Sequence, residues 1–436
     1  MSASRENARI ANLNNAAKRL VSKGDLASAA EIYTTILAVD AAHLGALTFL
    51  SMYAKEQGDI ERSINLLQKA IDLYPENAVL RKNMGMALLE QNRLDEALEF
   101  FTEAVALEPH AAIGYLYTGR ARELKGNLTA AVMDYARAMQ LQPELEKSSQ
   151  SGQMPDALRQ LVAAAINAKN ELHHEQHLEV FSELQTEFGE QKLNRVMKFI
   201  DYLHGKRKIE YADELQKPSF QYFPDLPAMA WYDRKQFSWC IDIEKKTKEI
   251  RDELLNVLSS GATLSPYVDD PTAKTMSVEW KKLFASTAWS AFHLYKEGRR
   301  VEENCSLCPI TASTLESIPL ATCRGQAPEA FFSILKAGTH IPPHVGLANT
   351  KLAVHLPLLV PEHCGIRVGR ETRHWQEGKC LIFDDSFEHE AWNKSEHLRA
   401  VLIFEIWNPN LTEAERISVR KVVEKTVDFN ALCSGA

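Results

Sequence analysis

The sequence predicts a multidomain chain in which an all-α solenoid of short repeats precedes a double-stranded β-helix (jelly-roll) domain with flanking helices. Three observations carry this. The first third matches itself at a shift of 34 residues. From Ala330 the chain breaks into short apolar runs separated by Gly, Pro and charged turns. At 436 residues it also exceeds what one ordinary core holds.

The repeats come first. Gly24, Gly58, Asn92 and Gly126 share one phase, followed by Asp25, Asp59, Arg93 and Asn127. The small residues Ala29, Ser63, Ala97 and Ala131 come next, then the large apolar Tyr33, Leu67, Phe101 and Tyr135, then Ile36, Ala70, Ala104 and Ala138. Pro75, Pro109 and Pro143 close three of the four units, and Ala41 stands at that phase in the first. Each unit reads as two amphipathic helices. A Gly or Asn tolerates the positive φ of the turn between them, a small residue lets them approach, a large one fills the gap to the next unit, and Pro ends the second helix. This period with these residue types is the tetratricopeptide signature, placed over residues 8–145. Such arrays offer a groove for a peptide or protein partner, or they buttress the domain that follows.

Residues 150–215 are expected to be a helical linker. QSGQMP (Gln150–Pro155) interrupts the pattern, which resumes near Asp156 as one or two helices. His173, His174 and His177 lie there. Two of them share a helix face, but without an acidic neighbour they read as solvated surface histidines rather than a metal site. From Lys217 the density of Pro and aromatics marks the entry to a second fold, placed over 216–420. A helix around Ile241–Ser259, a polar loop and the aromatic stretch WKKLFASTAWSAFHLYKEG follow.

Five runs in the last third have strand length and strand composition: AFFSILKAG, KLAVHLPLLV, CGIRVG, KCLIFDD and RAVLIFEIW. Short strands at this spacing indicate a sandwich or barrel. His344 (in THIPPHVG) and His389 (in FDDSFEHEAW) are expected on loops bracketing the strands, where a rigid sheet holds metal ligands. Arg399 opens the last strand, where its guanidinium can fork onto a dicarboxylate. Two His, a β-barrel and a downstream Arg form the arrangement of Fe(II)/2-oxoglutarate oxygenases. A carboxylate two residues after the first His usually completes that iron site, and here the position is Gly346. Asp384 and Asp385 read as a turn or as partners fixing a histidine tautomer. His340, His363 and His374 read as structural or surface residues.

Composition bounds the rest. Hydrophobic residues make up 45% and charged residues 25%, a globular balance. A net charge of −8 and a pI near 6.0 give no concentrated basic face, so no nucleic-acid partner is expected. The N-terminal residues lack the apolar core of a secretory signal, and no segment reaches the length of a membrane span. Seven scattered cysteines suit a reducing compartment, the cytoplasm, better than a disulfide framework. Cys305 and Cys308 lack a second pair at zinc spacing and read as ordinary loop thiols.

From about Lys217 to Arg416 the chain resembles the aspartyl/asparaginyl β-hydroxylase family, most densely in GTHIPPHVGLAN, HLPLLVP, EGKCLIFDDSFEHEAWN and FEIWNP. The resemblance implies a 2-oxoglutarate-dependent dioxygenase whose iron is held by two histidines, with Gly in place of the carboxylate. It implies His344 and His389 as Fe(II) ligands and catalytic centre. It implies Ser333 and Arg399 on the far carboxylate of 2-oxoglutarate, His355 on the near one, and O2 as the second cosubstrate. Some members carry a tetratricopeptide domain in front. Where the vertebrate-type enzymes have two arginines on the strand before His355, this chain has Lys351 and Ala353. Lys351 is the residue left to meet a substrate. Three functions follow: hydroxylation of an aspartyl, asparaginyl or related residue in a peptide or protein recruited by the repeats; hydroxylation of a small molecule or lipid headgroup; or a non-catalytic scaffold with a degenerate oxygenase domain.

Overall fold

Positive φ angles at Gly24, Gly58, Asn92 and Gly126 set the pitch of the N-terminal region in the computed structural model, which describes residues 2–150, 154–270 and 277–434. These four turns separate the two helices of each unit: α1 (Ser2–Ser22) from α2 (Leu26–Val39), α3 (Leu44–Glu56) from α4 (Ile60–Leu73), α5 (Ala78–Glu90) from α6 (Leu94–Leu107), and α7 (Ala112–Leu124) from α8 (Leu128–Leu141). The residue after each turn caps the next helix. Asp25, Asp59 and Asn127 accept the backbone N–H groups of Ser28, Arg62 and Ala130, which helix starts leave unpaired; Arg93 offers no acceptor. Pro75, Pro109 and Pro143 stand just beyond the ends of α4, α6 and α8.

In the third and fourth units a glycine on the first helix faces the large residue on the second. A Cβ on Gly85 would lie 2.6 Å from the Phe101 ring, and one on Gly119 would lie 2.6 Å from the Tyr135 ring and 3.0 Å from the Ala131 carbonyl. Phe101 and Tyr135 are buried as a result. The expected break over Gln150–Pro155 falls largely at 151–153, outside the described residues, and part of the polar loop after Ser259, residues 271–276, does so too. Helices follow at Asp156–Phe188 and Asn194–Leu203.

The chain divides into two compact units, Met1–His173 with Phe429–Ala436, and His174–Asp428. In the second, strands lie at β1 (Trp231–Tyr232), β2 (Ser265–Pro266), β3 (Trp289–Lys296), β4 (Arg299–Arg300), β5 (Ala330–Leu335), β6 (His340–His344), β7 (Lys351–Leu359), β8 (Cys364–Val368), β9 (Glu371–Arg373), β10 (Leu381–Phe383), β11 (His389–Asn393) and β12 (Arg399–Trp407). Eight form one antiparallel sheet, ordered β1-β10-β7-β12-β5-β3-β2 with β4 on β3. Four form a second, ordered β6-β11-β8-β9. Leu335, Ala353, Phe383 and Val401 of the large sheet meet Ile341, Ile366, Val368 and Ala391 of the small one in a shared core. The opposite face of the large sheet, with Phe332, Ile334, Leu352, Val354, Leu356, Leu402 and Phe404, is covered by helices including Thr247–Ser259 and Pro309–Glu316.

Three readings need correction. His344 and His389 are not loop residues: they end β6 and begin β11, directly opposite each other. THIPPH reads as a loop because of its prolines. It is a strand at the edge of the small sheet, the position where a residue without an N–H is tolerated. Cys305 and Cys308 sit where helices Glu302–Leu307 and Pro309–Glu316 meet and are buried in the core, not in a loop. His177 is fully buried, its ring nitrogens 2.9 Å from His204 Nε2 and 3.1 Å from Thr426 Oγ1. Those partners lie 27 and 249 residues away, beyond the reach of a local pattern.

The close helix approach has a testable sign. In an exposed helix Gly→Ala stabilises by roughly 0.5–1 kcal/mol. At position 119 the added methyl overlaps the Tyr135 ring, so Gly119→Ala should destabilise its repeat by about 1–3 kcal/mol. Amide exchange in α7 and α8 should accelerate accordingly, and slower exchange would contradict this packing.

Candidate active site

The pleat sorts the central strands into two sets. In β12, Ala400, Leu402, Phe404 and Ile406 pack toward the helices, so Arg399, Val401, Ile403 and Glu405 turn toward the small sheet. The same alternation gives the inner face Ser333 from β5 and Lys351, Ala353 and His355 from β7. Register places Arg399 opposite Leu335, Val401 opposite Ser333, and Ile403 opposite His355. Facing them, the small sheet brings the His344 and His389 rings to a centroid separation of 4.1 Å.

The two facing histidines are held alike. His344 Nδ1–H donates to the Pro342 carbonyl at 2.8 Å, and His389 Nδ1–H to the Phe387 carbonyl at 2.9 Å. A carbonyl only accepts, so each proton is fixed on Nδ1 and each Nε2 keeps its lone pair, the tautomer that ligates a metal. Burial, then the neighbouring imidazole, holds His389 down to about 3; burial also lowers His344. Both are neutral at ordinary pH. The tautomers are set by backbone carbonyls and not by the aspartate side chains. Asp384, pushed up to about 8 by burial, is bonded to Ser386 and Gln216 in a turn.

His355 is the converse. Its Nδ1 accepts from Trp375 Nε1–H at 3.3 Å, which puts the neutral ring's proton on Nε2 as a donor. Burial, then the charge of Arg399, holds its pKa well below normal.

Arg399 is 1% exposed. Its Nη1 donates to Ser333 O and Oγ at 3.3 Å, and its guanidinium lies over the Trp375 ring at 4.8 Å. Its Nε is buried without a partner, and no carboxylate among the described residues pairs with it. Burial lowers its pKa to about 10, the expression of an uncompensated buried cation. The Ser333 hydroxyl accepts from Arg399 and from Trp289 Nε1 (3.2 Å) and keeps its own proton to donate.

Contacts thus run from Ser333 through Arg399 and Trp375 to His355, then through Phe383 (4.9 Å to His355, 5.8 Å to His389) to the facing histidines. Trp280 stands edge-on to His344 at 5.5 Å. Trp280, Trp289, Trp375 and Phe383 are not singled out as site residues by the sequence; the aromatic stretch WKKLFASTAWSAFHLYKEG, which holds Trp280 and Trp289, is the one signal. Lys351 is placed differently. Its Nζ donates to Glu405 Oε1 at 2.6 Å, and both are largely buried. Asp385 and Glu329 are close enough to act on its charge, and burial raises each to about 7. A Cβ on Gly346 would overlap the Asp385 carboxylate, so no side chain fits two residues after His344 while Asp385 stays. Among the described residues no cluster of three or more His, Cys, Asp or Glu groups forms a metal site, which leaves two imidazoles. Bare nitrogens beside a buried unpaired cation fit a divalent metal with a carboxylate-bearing ligand.

Residues 244–409 match the family model described as aspartyl/asparaginyl beta-hydroxylase, and 14–78 and 54–118 match tetratricopeptide models. The human protein named aspartyl/asparaginyl beta-hydroxylase is 27% identical over 368 residues, 83% of this chain and 42% of that protein. The Rhizobium tropici protein named ornithine lipid ester-linked acyl 2-hydroxylase is 40% identical over 181 residues, 41% of this chain and 60% of that one. The chain therefore spans about half the length of the curated relatives it matches. Among solved structures, that of the MamA protein covers 36% of this chain and 87% of its own at 20% identity and a TM-score of 0.30.

An unpaired buried guanidinium destabilises the ligand-free protein. Replacing buried charge by apolar volume commonly gains about 1–4 kcal/mol. Arg399→Met should therefore raise the unfolding free energy of the ligand-free chain in urea by an amount in that range. A clear loss of stability would mean that its hydrogen bonds and ring contact outweigh its charge.

Proposed function

We propose that this chain, which carries an aspartyl/asparaginyl beta-hydroxylase domain over residues 244–409 behind tetratricopeptide repeats, is an Fe(II)- and 2-oxoglutarate-dependent hydroxylase. The observation that carries the reading is Arg399: a buried cation with no counter-ion among the described residues, on the sheet face opposite two histidines whose Nδ1 protons are held by carbonyls. When bound, Fe(II) with 2-oxoglutarate and O2 supplies the oxidising power to convert an unactivated C–H to C–OH, with succinate and CO2 as co-products.

The residues provide the rest. His344 and His389 hold the iron through Nε2. Arg399 and the Ser333 hydroxyl grip the far carboxylate of 2-oxoglutarate, and His355 donates through Nε2–H to the near one. Trp280, Trp289 and Phe383 wall the site, so its hydrogen bonds act in a poorly hydrated space where they are stronger. Gly346 leaves the Asp385 carboxylate in place of a third protein ligand.

The substrate reading is an aspartyl, asparaginyl or related residue of a polypeptide, recruited by the repeats at 8–145 to the oxygenase domain at 216–420. One observation favours the second reading, a small molecule or lipid headgroup. Lys351, the cation left to meet an acidic side chain, already spends its charge on Glu405, with Asp385 and Glu329 nearby. An acidic substrate would meet excess carboxylate there, and the lipid-hydroxylating relative at 40% identity agrees with a different choice. Succinate release dependent on iron and 2-oxoglutarate excludes the scaffold reading. A product heavier by one oxygen, sought among peptides and acylated amino lipids, distinguishes the other two. No helix among the described residues is long and apolar enough to cross a membrane. The seven free cysteines suit a reducing cytoplasm.

Two outcomes test this. His344→Ala and His389→Ala should each abolish Fe(II)-dependent succinate formation, since one imidazole does not hold a labile divalent ion; full turnover by either removes the iron assignment. Arg399→Ala should weaken 2-oxoglutarate binding roughly tenfold to a hundredfold, since each charged hydrogen bond contributes about 1.5–3 kcal/mol. Arg399→Lys should recover only part of this, because an ammonium lacks the fork. The readout is the charge-transfer absorption of the anaerobic Fe(II) protein, and unchanged affinity in Arg399→Ala contradicts the assignment.

A further inference from the structure

Trp375 lies outside every strand, on the segment between β9 and β10, yet it touches two residues of the large sheet's inner face. Its Nε1–H donates to His355 Nδ1 at 3.3 Å, its ring lies 19° from parallel with that imidazole, and the Arg399 guanidinium rests over it at 4.8 Å. His355 and Arg399 come from different strands, β7 and β12. A single indole therefore sets the relation between them.

The segment is itself strapped down. His374 Nδ1–H donates to the Cys364 carbonyl at 2.8 Å, Val360 N–H to Glu377 Oε1 at 2.9 Å, and Gly378 N–H to the Pro357 carbonyl at 2.9 Å. Gly378 takes a φ of +71°, which lets the chain turn back toward β7. Trp375 is 6% exposed. Its indole is thus fixed before any ligand arrives.

Chemistry gives this contact a consequence. A neutral imidazole has two tautomers that differ little in energy, so a ring with no fixed neighbour is a mixture of donor and acceptor at each nitrogen. An indole N–H only donates. Aimed at Nδ1, it excludes a proton there and leaves His355 a donor at Nε2. The indole face meanwhile attracts the guanidinium without supplying a negative charge, so Arg399 stays available to an anion. A carboxylate side chain at 375 would neutralise Arg399.

We infer that Trp375 is a positioning residue for the cosubstrate: it fixes His355 as an Nε2–H donor and seats the Arg399 guanidinium, so that both present to one carboxylate-bearing ligand. This rests on the 2-oxoglutarate reading of the site, and the test separates the two.

The experiment is a 2-oxoglutarate titration of the full chain with Fe(II) under anaerobic conditions, read by charge-transfer absorption, on the unmutated chain, Trp375→Phe, His355→Ala and the double variant. Trp375→Phe keeps an aromatic face and loses the N–H. Its affinity for 2-oxoglutarate should fall about three- to tenfold, the equivalent of one neutral hydrogen bond, while Fe(II) affinity stays unchanged. In the His355→Ala background the same substitution should change 2-oxoglutarate affinity less than twofold, because the N–H acts through the imidazole. Equal affinity of Trp375→Phe and the unmutated chain, or an equal loss with and without His355, overturns the inference and leaves the proposed function standing. No 2-oxoglutarate band in the unmutated chain overturns both. A measurement that needs no variant is the two-bond ¹⁵N–¹H correlation of His355 in the metal-free chain. The inference expects the Nε2–H tautomer, and an Nδ1–H tautomer contradicts it even if Trp375→Phe does not fold.

Discussion

Successive side chains of β5, β7 and β12 leave the sheet on opposite sides, and every part of the site depends on that pleat. One parity is apolar and anchors the large sheet to its helices through Phe332, Val354, Leu356, Leu402 and Phe404. The other gives Ser333, His355 and Arg399 to the space facing the small sheet. A slip of one residue in the β7–β12 register would bury the apolar set in the site and drive Arg399 into the helix-covered core. The area of that core is what keeps the polar groups in place. Opposite them, His344 and His389 are paired across β6 and β11, so the two facing imidazoles have the precision of a sheet ladder rather than of a loop.

On this frame three histidines take two tautomers, each decided by a single neighbour. Carbonyls at Pro342 and Phe387 make His344 and His389 bare at Nε2, while an indole N–H at Trp375 makes His355 a donor there. Burial keeps all three neutral. Arg399 is then the one charge among these groups, and its cost is tolerated because the surrounding sheet over-determines its position. Lys351 shows the opposite case: its partner Glu405 satisfies it within the fold, and it has little left for a ligand.

Legibility in the sequence followed the range of each interaction. The repeats were readable because their determinants recur locally: a turn residue, a small residue, a large one and a proline at one period. Five strands were readable as apolar runs. β6 and β11 were not, because the one carries two prolines and the other two charged or imidazole side chains, and only pairing makes them strands. His344, His389 and Arg399 could be singled out from their places beside the strands, whereas His355 and Ser333 were named only through the family resemblance. The groups that set their chemistry could not be, since Trp289 reaches Ser333 across 44 residues through the pairing of β3 with β5, and Trp375 reaches His355 across 20 from a segment outside every strand. Of the two roles read for the aspartates before His389, Asp384 takes the turn, while backbone carbonyls fix the histidine tautomers, and a carbonyl has no signature in sequence.

We propose that the space between the two sheets holds Fe(II) through the two imidazoles of the small sheet and 2-oxoglutarate through Arg399 of the large one. The most direct measurement is anomalous diffraction at the iron edge from crystals of the full chain grown anaerobically with Fe(II) and 2-oxoglutarate. The expected result is one iron peak within bonding distance of Nε2 of both His344 and His389, with the far carboxylate of 2-oxoglutarate against Arg399 and Ser333. Iron bound elsewhere, or 2-oxoglutarate bound with Arg399 still unpaired, would contradict it.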